Sequence, residues 1–357
     1  MKRIYIFSLQ ILFTLLLLPF AIGMFKGVEG GFGSVWDALG FIIVIVTAIL
    51  LFLMTFNYTK NSSKNFFIYK LIWLQEMFII SGLFGTIIGF AFTIIAMDSP
   101  RIDNEADPTN ELISNMAISL ITLIYGFVGA LIIYMVQKFV EMKDISNENE
   151  EIKIVKPKEG FLLSSFIYFF LFLILSLGII HIGSFSLGGS SALVPIECLY
   201  YIVTVLIILI LFYNGDSFIN LMKNILWYLP NTEKNIVYNL KYIRNMKKIV
   251  AMIICVSLLI GPITMLVGTL FPSETEILGL NVAPFIGLKN GALQFLWIIH
   301  FIILLTIIEG REVSKLYFET GKINAGDRFY SLKYILGPAF LIFFTFSFGI
   351  ILSFIVL

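Results

Sequence analysis

Two long apolar runs flank a short acidic loop between Glu76 and Val140, and this stretch constrains the fold more than any other part of the sequence. Each run is long enough to cross a bilayer as a helix, which takes about 20 apolar residues. The loop between them, Asp98 to Glu111, holds five acidic residues and one basic residue. The sequence therefore predicts two neighbouring transmembrane helices that are joined by a charged loop.

The composition indicates that the rest of the chain follows the same plan. Of the 357 residues, 59% are hydrophobic and 13% are charged, with a mean hydropathy of +0.97. These values lie far outside the range of soluble globular domains. Both cysteines, Cys198 and Cys255, fall inside apolar runs, which favours buried thiols over a disulfide. The expected fold class is an all-α polytopic membrane protein.

About nine transmembrane helices are expected from the apolar runs. They are predicted at residues 4–24, 38–56, 71–97, 112–139, 160–182, 193–213, 249–270, 291–309 and 334–357. The segments between them are polar connectors, and one of these connectors contains a predicted amphipathic surface helix at Asn220 to Trp227.

The distribution of positive charge predicts how these helices are oriented. With nine crossings and a cytoplasmic N-terminus, 21 of the 24 Lys and Arg residues fall on the cytoplasmic side. The outward loops then hold only Lys26, Arg101 and Lys289. Since cytoplasmic loops are enriched in Lys and Arg, we expect a cytoplasmic N-terminus and an outward C-terminus.

The spacing of the helices suggests two membrane units. We expect a four-helix unit at residues 1–145, a charged cytoplasmic linker at 146–159, and a five-helix unit at 160–357. Helices 1 to 4 and 5 to 8 of this scheme share one orientation, as a parallel duplication would give. If the two units arose by duplication, the second is a degenerate repeat, because Met265 and Trp297 take the places that correspond to Thr86 and Thr122. The alternative is that any chain of eight helices with alternating loops shows such a likeness.

Small residues gather on one face of each helix in the first pair. Gly82, Gly85 and Gly89 are spaced three and four apart, which places them on one helical face beside Thr86. In lipid, such a face lets another helix approach closely. The second run repeats the pattern with Ala117, Ser119, Thr122, Gly126, Gly129 and Ala130.

This helix pair resembles the last two membrane helices of the MotA/TolQ/ExbB family, the channel-forming subunits of ion-driven motors. The stretch Gly82-Leu83-Phe84-Gly85-Thr86-Ile87-Ile88-Gly89 matches the G-x-x-G-T-x-x-G segment of the family's third helix. The stretch Thr122-Leu123-Ile124-Tyr125-Gly126 matches part of a T-T-L-Y-G pattern in its fourth helix. The resemblance covers about 65 residues, and the long cytoplasmic domain of flagellar members is replaced here by a connector of about 14 residues.

The resemblance implies a proton or sodium channel and a set of site residues. The ion pathway would be lined by Thr86, Thr122, Ser119 and Thr93. Close helix packing would depend on Gly82, Gly85, Gly89, Gly126 and Gly129. Glu76 is a candidate for the inner exit of the pathway, and the alternative is an interfacial carboxylate beside Lys70.

The middle of this helix pair lacks a carboxylate, and this predicts a partner. Hydroxyl groups can hydrogen-bond water or a cation, but they do not carry a proton at ordinary pH. In the family, a single-helix protein similar to MotB, ExbD or TolR supplies the aspartate inside a ring of channel subunits. The resemblance thus implies a homo-oligomer, with five copies, in the bacterial cytoplasmic (inner) membrane.

Catalytic chemistry is not indicated by the sequence. It contains no phosphate-binding loop, and His181 and His300 stand on separate predicted helices without Cys or acidic residues at ligand spacing. We expect no enzyme activity, no metal, no cofactor and no nucleic-acid partner. His300 is either a proton relay or a neutral imidazole that is bonded to a neighbouring helix.

Two other classes of function stay open at this point. The chain could be a self-contained secondary transporter with a site between its two halves, or a non-conducting membrane scaffold. A transporter should carry charged groups or broken helices near the middle of the bilayer in both halves, and few embedded charges are expected here. A scaffold would use the same small-residue faces for assembly.

Overall fold

The structure is a computed structural model. It describes residues 37–56, 64–97, 108–143, 159–185, 203–204, 207, 223–229, 232–270, 276–277, 280–281 and 283–320. The helices predicted at 4–24 and 334–357 lie outside these residues, and so does nearly all of the helix predicted at 193–213. The linker at 146–159 lies outside them except for Glu159.

The described residues are almost entirely helical, and six helices account for most of them. They are α1 (Ala38–Phe56), α2 (Lys64–Met97), α3 (Pro108–Lys143), α4 (Leu163–Phe185), α5 (Glu233–Leu270) and α6 (Ala283–Thr320). Two short antiparallel strand pairs join them. These are β1 (Gly160–Phe161) with β2 (Trp227–Tyr228), and β3 (Glu276–Ile277) with β4 (Leu280–Asn281).

Three helices in the described part of the chain are long and apolar enough to cross a membrane. Their apolar spans are Ala38–Phe56, Phe66–Gly89 and Ser119–Glu141, within α1, α2 and α3. They overlap the spans predicted at 38–56, 71–97 and 112–139. A shorter apolar stretch, Leu163–Ile179, lies in α4. The prediction of a helical membrane protein is therefore confirmed at this coarse level.

The core is built around α2, which packs against α1, α3 and α6. Near the start of α2, Phe66 stacks on Tyr317 of α6 with ring centroids 4.8 Å apart. Further along, Phe84 meets His300 at 5.3 Å. Since residue numbers rise on α2 as they fall on α6, the two helices are antiparallel. The span of α2 is the most deeply buried of the three.

Helices α5 and α6 extend well into segments that were predicted as polar connectors. Helix α5 begins at Glu233 and not near Ile249, and α6 continues to Thr320 past the predicted end at Glu309. The prediction failed because charged residues were taken as marks of solvent-exposed connectors. Here many of them pair with each other between the helices, so they do not end the helices.

The predicted surface helix at Asn220 to Trp227 falls within the described residues only from 223 onward. Residues 223–226 are helical, as predicted, and Trp227 lies in β2 instead. Strand β2 pairs with β1, with Gly160 opposite Tyr228 and Phe161 opposite Trp227. This pairing ties the segment before α4 to the segment before α5. At Trp227, pairing with Phe161 therefore takes the place of the predicted helical conformation.

Candidate functional site: a hydroxyl pair in a glycine seam

Helices α2 and α3 meet along what we call the glycine seam, formed by Gly82, Gly85 and Gly89 of α2 and by Ser119, Thr122, Gly126 and Gly129 of α3. At its centre the two backbones nearly touch. A Cβ atom added to Gly82 would lie 2.9 Å from Gly126 Cα, and one added to Gly126 would lie 2.7 Å from Phe78 O. Any side chain at either position would force the helices apart.

The remaining glycines of the seam each face a side chain of the other helix. A Cβ atom on Gly85 would lie 3.0 Å from Thr122 Cβ, and one on Gly89 would lie 3.1 Å from Ser119 Cα. A Cβ atom on Gly129 would collide with the ring of Phe78. The five glycines that the sequence singled out for helix packing therefore all lie in this one contact.

The seam brings together the hydroxyl groups of Thr86 and Thr122, which we call the hydroxyl pair. Their Oγ1 atoms lie 3.1 Å apart, although the residues are 36 positions apart in the chain. Thr86 donates to the carbonyl of Gly82 at 2.9 Å. Thr122 donates to the carbonyl of Ser119 at 2.7 Å and lies 3.3 Å from that of Gly82.

The hydroxyl pair has more contacts at hydrogen-bonding distance than it has hydrogens to donate. The two hydroxyl groups supply two hydrogens, yet their oxygens make four contacts at hydrogen-bonding distance, with each other and with two carbonyls. The two hydroxyl hydrogens therefore cannot each form a hydrogen bond in all four contacts at the same time. Hydroxyl and carbonyl oxygens are also ligands for hard cations. The arrangement can therefore hold water or a cation if the helices part slightly.

In the single chain the hydroxyl pair is enclosed. Thr86 is 5% exposed, Thr122 is 7% exposed, and Ser119 is buried beside them. Thr93 lies further along α2, where the structure describes the backbone but not the side chain. Three of the four predicted pathway residues thus meet at one level, and a foreign helix reaches them only if the seam opens.

Glu76 lies on α2 about three turns before Thr86, and its side chain is buried. The adjacent residue, Gln75, begins a series of hydrogen-bonded polar side chains. The sequence did not predict this series. Gln75 donates to Gln137 of α3 at 2.6 Å, and Gln137 donates to Glu141 at 2.6 Å. Lys138 also donates to Glu141. Amide groups of α2 and α3 are therefore hydrogen-bonded to each other and to a partly exposed ion pair on α3.

Asp37 is a second residue whose place the sequence analysis missed. It lies between the helices predicted at 4–24 and 38–56, and in the structure it immediately precedes α1 and contacts α3. Its backbone N–H donates to the Tyr125 hydroxyl at 2.7 Å, and its Oδ1 accepts from the backbone N–H of Leu39 at 3.1 Å. An acidic residue directly before an apolar run is a helix N-cap signal, which could have shown its role in α1 but not its neighbours.

A second polar site lies between α5 and α6, and we call it the charge cluster. It consists of Arg244, Lys247, Glu309, Arg311, Glu312 and Lys315. Glu309 accepts hydrogen bonds from Lys247 and, at 2.9 Å, from Arg244. Lys247 and Glu309 are both essentially unexposed. Glu309 is the last residue of the helix predicted at 291–309, but α6 continues beyond it and residues of α5 bond to its carboxylate.

The charge cluster continues one turn further along α6. Lys315 donates to Glu312 at 2.6 Å and to the side chain of Asn224 at 2.8 Å, while Asn239 donates to Glu312 at 3.1 Å. Burial lowers the pKa of Lys315 from its usual value, and the nearby Glu312 carboxylate opposes this effect. Burial also raises the pKa of Tyr228, whose ring faces Lys315, to about 12, with Glu319 and Glu312 adding to the shift.

Arg311 joins four separate parts of the chain. Its guanidinium group donates to the carbonyl of Met54 at the end of α1, with Nε at 2.9 Å. It also donates to the carbonyls of Asn224 and Ile225 and, at 2.6 Å, to Ser165 of α4. A planar group with five donors suits such a set of acceptors. Arg311 therefore lies near the end of α1, whereas the hydroxyl pair lies near the start of that helix.

His300 of α6 is hydrogen-bonded to a neighbouring helix. Its Nε2 lies 2.6 Å from the hydroxyl of Ser176 on α4. Its ring also packs on Phe84 and Phe172. Of the two alternatives for His300, the geometry favours the imidazole bonded between helices.

Comparisons of the chain with protein-family models, with curated proteins and with solved structures find no match. Among the residues that the structure describes, three or more His, Cys, Asp or Glu side chains do not come together as a metal site would require. The class of protein is therefore defined by the fold alone. It is a helical membrane protein with a glycine-lined helix pair at its core.

Proposed function

We propose that the chain is the channel-forming subunit of an ion-motive-force-driven motor or energy transducer, using protons or sodium ions. Several copies, five by the family resemblance, assemble in the bacterial inner membrane. They surround a partner with a single transmembrane helix, similar to MotB, ExbD or TolR, which supplies the ion-carrying aspartate. Thr86 and Thr122 face that aspartate, with Ser119 and Thr93 along the pathway.

The observation that carries this proposal is the 3.1 Å approach of the two hydroxyl oxygens in the glycine seam. The two motifs of the family resemblance lie on different helices, and the resemblance assigns Thr86 and Thr122 to one ion pathway. Their meeting at one level, among carbonyl oxygens, supports that assignment. The glycines allow the backbones to come close enough for the hydroxyl groups to meet.

The surroundings of the hydroxyl pair support the need for a partner. Among the described side chains of α2 and α3, the acidic ones are Glu76 and Glu141, and both lie well away from Thr86 along the helices. A bare cation at this depth is costly in a low-dielectric layer without an acidic counter-charge. The partner's aspartate supplies that charge once the seam opens to admit it.

The outer face of α3 supports assembly of several copies. Of the three apolar spans, that of α3 is the least buried within the chain. Its exposed apolar residues are Ile124, Phe127, Ile132, Tyr134, Val136 and Phe139. This face can contact lipid or a neighbouring copy, so a ring can form without disturbing the glycine seam on the opposite side of the helix.

A self-contained secondary transporter is the second candidate, and the charge cluster favours it. The sequence analysis expected few embedded charges, yet Lys247, Glu309, Arg311 and Glu312 are all buried. Glu309 and Glu312 are each paired with a lysine, however, and Arg311 is bonded to backbone carbonyl groups and Ser165, so these charges hold segments of the chain together. We therefore keep the motor subunit as the conclusion.

Purification from native membranes tests the proposal. The tagged full-length chain should co-purify with a protein that has one N-terminal transmembrane helix containing an aspartate, and native mass spectrometry should show several copies of the chain per complex. A chain that purifies alone and transports a solute in vesicles would support the transporter. A chain that purifies alone and is inert would support a scaffold, and either outcome would overturn the motor proposal.

A further inference from the structure

We propose that α5 carries a binding surface for anionic phospholipid headgroups at the point where it enters the membrane. The surface is the exposed helix face that bears Lys241 and Lys248. Its ligand is a lipid whose headgroup carries a net negative charge, such as phosphatidylglycerol. Binding at this surface does not depend on the proposed function, and it would hold equally for a transporter or a scaffold.

The first step locates the edge of the membrane on the structure. The apolar span of α1 ends at Phe56, and a polar segment follows it in the sequence. Gly310 of α6 lies at this level, because a Cβ atom added to it would lie 2.5 Å from Thr55 Cγ2. Ser165, near the start of α4, lies there too, since it accepts a hydrogen bond from Arg311. These residues mark what we call the membrane edge, on the side that the charge distribution predicts to be cytoplasmic.

The second step places Lys248 at the membrane edge. The neighbouring Lys247 donates to Glu309, which directly precedes Gly310, so this part of α5 lies at the same level. Lys248 itself is exposed, and α5 continues from it into the apolar run predicted at 249–270. The ammonium group of Lys248 therefore lies where the headgroups of the bilayer meet the helix.

The third step is that the same face of α5 contacts lipid tails. Met252 lies one turn beyond Lys248, on the same side of the helix, and is 67% exposed. An apolar side chain that is exposed within a predicted transmembrane run faces lipid. The headgroups of the lipids that cover Met252 then lie against Lys248.

The fourth step is the charge of this face. Between residues 234 and 248, α5 has five basic residues and no acidic residue. Two of them bond Glu309, and the other three are exposed and spaced seven apart, which places Lys234, Lys241 and Lys248 on one face. These three lysines form no ion pair with a residue in the described ranges. Lysines that lie just cytoplasmic of a transmembrane helix attract anionic lipid.

An exposed aromatic pair supports the same level for the headgroups. Phe161 of β1 and Trp227 of β2 are 44% and 43% exposed, and their ring centroids lie 4.9 Å apart. Strand β1 ends four residues before Ser165, so the pair lies just outside the membrane edge. Tryptophan is enriched at the boundary between membrane and water. This feature belongs to other elements than α5 and places the headgroups at the same depth.

Native mass spectrometry tests the surface. The full-length chain is placed in nanodiscs with equal amounts of phosphatidylglycerol and phosphatidylcholine that have the same acyl chains, and the lipids that stay bound after release are counted. The wild type should retain more phosphatidylglycerol than phosphatidylcholine. Because the attraction is electrostatic, this enrichment should fall when the salt concentration rises from about 0.1 M to about 1 M, which shortens the Debye length from about 10 Å to about 3 Å.

Three variants on one helix face identify the lysines that meet the headgroups. Lys248→Gln should lower the enrichment about fivefold, since one basic residue near an anionic surface changes the affinity by about that factor. Along the helix, Lys241 lies about 10 Å and Lys234 about 21 Å from Lys248. Lys241→Gln should therefore have a smaller effect, and Lys234→Gln, the matched control, should retain lipid like the wild type. All three side chains are exposed, so the melting temperatures should not change.

The inference is overturned if the folded wild-type chain retains the two lipids equally, or if Lys248→Gln keeps the wild-type enrichment. Equal losses in all three variants would also overturn it. They would indicate that an acidic protein partner lies along the whole face, beyond the reach of the headgroups.

Discussion

At the residue scale, Thr122 is the point where the helices of the first half meet. It touches Thr86 and lies against Gly85 on α2, and its methyl group packs close to Gly40 on α1. The small-residue spacing in α2 and α3 predicted which residues would face each other. It could not predict the approach of Asp37, because the small and polar residues of α1 share a buried face without showing which helix covers that face; they are Gly40, Thr47, Ala48 and Thr55. That contact depends on the packing of three helices.

Lys247 provides a residue-scale test of the charge cluster. Lys247→Met leaves the buried Glu309 without its closest partner, so we expect the free energy of unfolding to fall by about 3 kcal/mol. Thermal denaturation in detergent measures the change. Lys138→Met is the matched control, since Lys138 pairs with Glu141 at a partly exposed position where an ion pair contributes about 0–1 kcal/mol. Equal effects in the two variants would show that Glu309 is not buried.

At the element scale, the glycine seam determines how closely α2 and α3 pack. Its existence was predictable, since glycines three and four apart must share a face. The lengths of α5 and α6, in contrast, could not be predicted from the sequence. Lys247 and Glu309 look like connector residues when each is considered alone, and their pairing across two helices cannot be read from either segment. Helices α5 and α6 therefore continue through polar residues whose partners lie on the other helix.

Gly126→Ala tests the seam at this scale. The added methyl group would lie 2.7 Å from Phe78 O and 2.9 Å from Gly82 Cα, both of which are backbone atoms that cannot move without moving the helix. We expect a loss of stability of about 1–3 kcal/mol, as for other overpacked sites. Thermal unfolding measures it, with Gly178→Ala of α4 as the control because nothing lies within 4 Å of its added Cβ atom. A stable Gly126→Ala variant would contradict the close approach.

At the scale of the whole molecule, the two predicted units share one interior. Helix α6 lies against α1 and α2, and α4 lies against α1, so both sequence halves contribute to the core. The second half is thus more than an added shell around the first. The sequence predicted the number of apolar runs in each half, but it could not show that Phe66 would stack on Tyr317 or that Arg311 would reach Met54.

Arg311→Lys tests this connection between the halves. A lysine keeps the charge, but its three donors cannot replace the five hydrogen bonds that Arg311 makes with Met54, Asn224, Ile225 and Ser165, so buried carbonyl groups lose their donors. We expect the free energy of unfolding to fall by at least about 2 kcal/mol. Limited proteolysis of the folded variant should then separate the halves more readily than in the wild type. A variant that unfolds and is cleaved like the wild type would mean that Arg311 does not hold the halves together.

Ion flux through vesicles that contain the chain with its co-purified partner tests the proposed motor most directly. A dye that reports protons or sodium follows entry under an imposed membrane potential, for wild type, Thr86→Val and Thr47→Val. Because a lost hydrogen bond to a charged group costs about 1.5–3 kcal/mol, Thr86→Val should lower the flux at least about tenfold while insertion and assembly are kept. Thr47→Val should conduct like the wild type. Flux through Thr86→Val equal to that of the wild type would contradict an ion pathway along the glycine seam.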